Sequence, residues 1–155
     1  MNSVRSVATD LVAQKIKAAL AQNLDVVLCV GETKAERDDK KAEQVVIDQL
    51  QASIPDNTPP ARLTIAYEPV WAIGTGVVAS PDDIGAMHHI IASVLSERFG
   101  AGALQPILYG GSVNAENAGS IFAVPLVGGA LVGGASLDAD AFAAICTAVQ
   151  LASRN

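Results

Sequence analysis

In "AYEPVWAIGTG", residues 66–76, an apolar run ends on a carboxylate, Glu68, and is followed by a proline, the chain's only tryptophan and several small residues. A carboxylate at the mouth of a buried strand, walled by apolar neighbours, loses solvation and gains basicity, which suits a general base. Capping a helix or pairing with a surface cation is the commoner role for a glutamate, but the loop that follows weighs toward the base. Pro69 stiffens one end, Gly74 and Gly76 supply a second hinge, and the middle is compact and apolar. Such a segment suits a lid that excludes water, here Pro69, Val70, Trp71, Ala72, Ile73, Gly74, Thr75, Gly76 and Val77. A plain connecting loop is usually shorter and more polar.

Three other apolar runs also end unusually: on Gly31–Glu32, on Tyr109–Gly110–Gly111–Ser112 and on Gly133–Gly134. Glycine-rich ends let backbone N–H groups approach a ligand closely, and such amides bind anions. Either of the last two turns, taken alone, is equally well read as a tight strand-to-helix turn. Together, with Ser112 beside them, they point to phosphate, because phosphate sites recur after the last two strands of βα barrels.

The elements that must position these residues are legible in outline. The runs "LDVVLCVGE" (24–32), "RLTIAYEP" (62–69), "QPILYGG" (105–111) and "GGALVGG" (128–134) are continuous rather than alternating. That suits strands of a parallel sheet buried on both faces. Helical spacing of apolar residues marks 9–22, 40–54, 81–98, 115–122 and 139–151. Ser80, Pro81, Asp82 and Asp83 give the third of these a clear start, and Asp138 caps the last. The charge run "ERDDKK" (36–41) reads as the solvated start of a helix. One helix followed by four strand–helix pairs gives an α/β fold with a parallel sheet.

Bulk properties narrow the function. A length of 155 residues supports one domain, 1–155, with its own core. Half the residues are apolar and only 4% aromatic, so that core is aliphatic. A formal charge of −6 without a basic cluster argues against nucleic acid or an anionic membrane as partner. Cys29 and Cys146 stand far apart in apolar runs and read as buried free thiols, with no disulfide or metal site. With no charged-then-apolar leader and no apolar run near 18 residues, the expected setting is the cytoplasm.

"AYEPVWAIGTG", "YGGSV" and "LVGGASL", in this order and spacing, together with "CVGE", resemble the triosephosphate isomerase family over nearly the whole chain. The resemblance implies interconversion of dihydroxyacetone phosphate and glyceraldehyde 3-phosphate, in glycolysis and gluconeogenesis, without cofactor or metal. It makes Glu68 the base and residues 69–77 the lid. It gives Gly74, Ser112, Gly133 and Gly134 to the substrate phosphate, and makes Glu32 and Tyr109 partners of the lid. Trp71 packs in the lid stem and hydrogen-bonds Glu32 in the open state.

The family's barrel has eight βα units in about 250 residues. Against it, this chain reads as the (βα)4 half of a TIM barrel, units five to eight, with an extra N-terminal helix. The family's asparagine and lysine on its first strand, and histidine on its fourth, have no counterpart here. His88 and His89 fall in an outer helix, and Lys15 and Lys17 in the first helix, so all four read as surface or packing residues. Isomerase activity of the chain alone is therefore expected to be weak or absent. The alternative is a non-catalytic, self-assembling half-barrel that keeps a phosphate pocket. Four parallel strands leave open edges, which invite pairing. Homodimerisation of first strand to last strand is expected ahead of a separate N-terminal half, coverage of the bare face by helix 9–22, or aggregation.

Overall fold

The computed structural model describes residues 2–72, 78–100, 102 and 106–152, with residues 2–8 as backbone. The chain runs α1 (Asn2–Ala21), β1 (Val26–Val30), α2 (Lys34–Asp38), α3 (Ala42–Ser53), β2 (Leu63–Tyr67), α4 (Pro81–Phe99), β3 (Ile107–Tyr109), α5 (Ala118–Phe122), β4 (Val127–Ala130) and α6 (Ala139–Ala152). The strands form one parallel sheet in the order β1-β2-β3-β4. It is open, with β1 and β4 at its edges. This is the α/β half-barrel read from the sequence.

Helices pack on one face of the sheet. Leu28, Val30, Ile65, Tyr67, Ile107 and Tyr109 share a core with Leu50 of α3, Ile84 and Ile91 of α4, Ile121 of α5 and Ile145 of α6. On β1 the other face is bare: Val27 is 52% exposed and Cys29 is also exposed. The expectation of strands buried on both faces therefore fails for β1, because helices line one side of an unclosed sheet. The expectation of buried thiols fails with it. Both cysteines are free, but Cys29 lies on the bare face and Cys146 on the outer side of α6, and both are exposed. Helix α1 inserts Ile16 into the core and packs on α3, so it belongs to the outer layer and does not cover the bare face.

The caps follow the sequence where its signals were clear. The Ser80 hydroxyl accepts from Asp83 N–H at 3.1 Å, and α4 stops at Gly100, whose φ of 86° suits glycine. Asp138 accepts from Ala141 N–H at 2.8 Å at the start of α6. Helix α5 begins later than residue 115, because Asn114 accepts from Glu116 N–H and Asn117 N–H and holds those residues in a turn.

The charge run 36–41 departs most from expectation. Thr33 and Glu36 form a reciprocal capping box that nucleates the short helix α2. The run thus closes one helix, turns through Lys40 at φ 58°, and only then meets α3. Arg37 is directed inward and is not a solvated surface charge. Among the described residues, no helix is long and apolar enough to cross a membrane.

Candidate active site

Glu68 directly follows β2, where Val30 C=O accepts its N–H at 2.7 Å. Side chains alternate along the strand, so Glu68 shares the concave face with Ala66 and with Cys29, the residue in register with Ala66. Burial pushes the Cys29 thiol up to about 11, and the charge of Glu68 and a hydrogen bond to it add to the effect. Glu68 opens onto a cleft of about 440 Å³ whose other walls are Gly110–Val113, after β3, and Leu131–Gly134, after β4. Ser112, Gly133 and Gly134 thus meet Glu68 at one end of the sheet.

Two of the glycines lining the cleft are required by space. A Cβ on Gly110 would fall on the Glu68 side chain, and one on Gly111 would fall on the Tyr109 hydroxyl. Gly133 and Gly134 instead border open space, which leaves their backbone accessible from the cleft.

The stem of the expected lid is ordered around a buried carboxylate. Pro69 and Ala72 are buried, and Val70–Ala72 forms a 3-10 turn. Trp71 Nε1 donates to Glu32 Oε1 at 2.8 Å. Glu32 is fully buried and also accepts from Arg37 Nη1 at 2.7 Å and from the Tyr67 hydroxyl at 3.2 Å. Arg37 in turn lies 5.1 Å from the Trp71 ring centroid, within cation–π range, and pairs with Asp83 of α4. Burial and the Glu32 carboxylate push the Tyr67 phenol far above its ordinary range.

Ser112 donates its hydroxyl to Ala72 C=O at 2.9 Å, tying the stem to the turn after β3. Burial also raises Tyr109, while the Ala79 backbone beside its hydroxyl works against the rise. The Tyr109 hydroxyl thus lies beside Ala79, the residue before the α4 cap at Ser80. Ile73, Gly74, Thr75, Gly76 and Val77 lie outside the described residues.

Two polar residues of this region were missed in the sequence. Gln49 of α3 clamps Gly31, accepting from its N–H at 2.8 Å and donating to its C=O at 2.9 Å. The available signal was its place three residues after Val46, on the buried stripe of α3. Arg37 was hidden in a charge run, and the capping box at Thr33 was the sign that the chain turns it back over Glu32. His88 of α4 is buried as a packing residue, with Nδ1 3.1 Å from Leu126 C=O and its ring edge-on to Tyr67, while His89 is exposed. Neither histidine lines the cleft.

The family model described as triosephosphate isomerase matches residues 4–149. The triosephosphate isomerase of Acidiphilium cryptum (strain JF-5) is 52% identical over 145 residues, covering 88% of this chain and 57% of that protein. The triosephosphate isomerase of Roseiflexus sp. (strain RS-1) is 50% identical over 137 residues, covering 86% and 54% respectively. The chain thus spans somewhat over half the length of these curated relatives. The crystal structure of triosephosphate isomerase from Bartonella henselae superposes with a TM-score of 0.83 at 38% identity, covering 96% of this chain and 60% of that one. With the family model matched over nearly its whole length, the chain belongs to the triosephosphate isomerase family.

Proposed function

We propose that this chain carries the base, the lid and the phosphate-binding turns of a site that interconverts dihydroxyacetone phosphate and glyceraldehyde 3-phosphate. The observation that carries the reading is the opening of Glu68 onto the cleft between the Gly110–Ser112 and Gly133–Gly134 turns. The Glu68 carboxylate takes a proton from the carbon beside the substrate carbonyl. The electrons of that C–H bond form a C=C bond and the carbonyl oxygen gains charge; the proton of the neighbouring hydroxyl passes to that oxygen, the hydroxyl oxygen becomes the new carbonyl, and the base returns its proton to the former carbonyl carbon. Backbone amides of Gly74, Ser112, Gly133 and Gly134 hold the phosphate, and residues 69–77 close over it, a lid motion for which this family is itself the standard example. The expected setting is cytoplasmic glycolysis and gluconeogenesis.

Among the described residues lining the cleft, none is cationic and none is an imidazole. The charge that develops on the substrate oxygen has no preorganised partner there, and each such partner is worth on the order of 10²–10³ in rate. The chain alone is therefore a weak isomerase at best. Its complement is a second copy joined β1 to β4, or a separate half carrying the family's lysine and histidine.

A coupled assay on either triose phosphate, with the chain alone and with an added N-terminal half from a relative, tests this. Glu68→Gln should lower kcat by about 10²–10⁴-fold. Activity that survives the substitution would remove Glu68 from the chemistry. No activity in either mixture, with phosphate still raising the melting temperature, would favour the non-catalytic half-barrel.

A further inference from the structure

We propose that Gln49 is a positioning residue for the base, acting through Gly31; this rests on the reading of Glu68 given above. Gly31 directly follows β1 and lies against Glu68, which directly follows β2. A Cβ on it would fall on the Glu68 carbonyl, so the Glu68 peptide rests directly against the Gly31 Cα. The residues on either side of Gly31 bond to the β2 side: Val30 C=O accepts Glu68 N–H at 2.7 Å, and Glu32 C=O accepts Val70 N–H at 3.0 Å.

Gly31's own N–H and C=O turn the other way, and the Gln49 amide takes both, at 2.8 and 2.9 Å. One side chain on α3 therefore fixes the only residue of this stretch that β2 does not hold. A glycine left without these bonds is the most mobile residue type in a chain. Its rotation would carry the peptide against which Glu68 packs, and would shift Glu32, the acceptor for Trp71. Gln49 reaches both the base and the lid stem without touching either.

The test compares the chain with Q49M and Q49E, with E68Q as reference for the chemical step. Q49M keeps the length of the side chain and loses both hydrogen bonds. Q49E keeps the acceptor for Gly31 N–H and loses the donor. Amide hydrogen exchange, read by NMR, reports the clamp whether or not turnover is measurable. Gly31 and Glu68 N–H should exchange about tenfold faster in Q49M, with Ile65 in mid-strand unchanged and Q49E intermediate. Where turnover is measured, kcat should fall about tenfold at unchanged KM, because the phosphate turns stand on other strands. Unchanged exchange at Gly31 in Q49M overturns the proposal. So does acceleration confined to Gly31 with Glu68 unchanged, since the clamp would then hold a turn and not the base. A rise in KM matching the loss in kcat/KM overturns it too. Activity indifferent to E68Q would instead defeat the assignment of the base, and the exchange at Glu68 would still decide the clamp.

Discussion

At the level of single residues, the site depends on how closely Glu68 is surrounded. Gly110 has no room for a side chain beside it, so Gly110→Ala should turn the carboxylate aside and lower kcat by about 10²-fold, measurable in the coupled assay. The thiol beside Glu68 provides a reporter that needs no turnover. Cys29 is exposed, yet burial of its thiol and then the Glu68 charge push its pKa to about 11. The thiolate is the nucleophile, so alkylation of Cys29 should be slow at pH 8 and climb only as the pH nears that value. Glu68→Gln removes the charge and should speed alkylation at pH 8; an unchanged rate would mean that the two side chains do not interact. Glu68, Glu32 and Ser112 were legible in the sequence because each sits at the end of an apolar run. Arg37 and Gln49 were not, because each acts, from a different helix, on a residue just after β1.

At the level of elements, helix starts were easier to read than strand environments. Ser80 and Asp83 form the cap on α4 that the sequence announced. Ser80→Ala should cost about 1 kcal/mol in a urea melt, since one N-terminal N–H loses its acceptor. The middle of the same helix carries a pH dependence. His88 is buried with Nδ1 against the Leu126 carbonyl, which only accepts, so that nitrogen holds the proton. Among the described residues Nε2 has no partner. Burial lowers the His88 pKa below 6.5, and this outweighs the opposing effect of the Leu126 bond. The folded state thus favours the neutral ring while the unfolded chain protonates near 6.5. This part of the stability is complete above that pH and declines as the pH falls below it. His88→Asn should narrow the difference between melting temperatures at pH 5 and pH 7.5; an equal difference in both proteins would assign the acid sensitivity elsewhere.

At the level of the whole molecule, the open sheet sets the questions. Val27 and Cys29 lie on a face without helices, and β1 and β4 keep free edges. The proposed pairing of two copies predicts a light-scattering mass of twice 15.9 kDa at micromolar concentration. Val27→Asp should return it to the mass of one chain with its circular dichroism intact, since a charge on the covered face would be buried without a partner. A single-chain mass for the unmodified protein would exclude self-association and leave a separate half as the complement.

The sequence by itself determined the order of strands and helices apart from α2, the main caps, and the glycines and carboxylates at the strand ends. These are local signals, carried by the spacing of apolar residues and by the chemistry of one turn. Only the tertiary structure decided which face of β1 is bare, that α1 joins the outer layer, and that Arg37 and Gln49 reach across to Glu32 and Gly31. Periodicity tells how often a side chain returns to one face, whereas its neighbour on that face is set by how separate elements pack together.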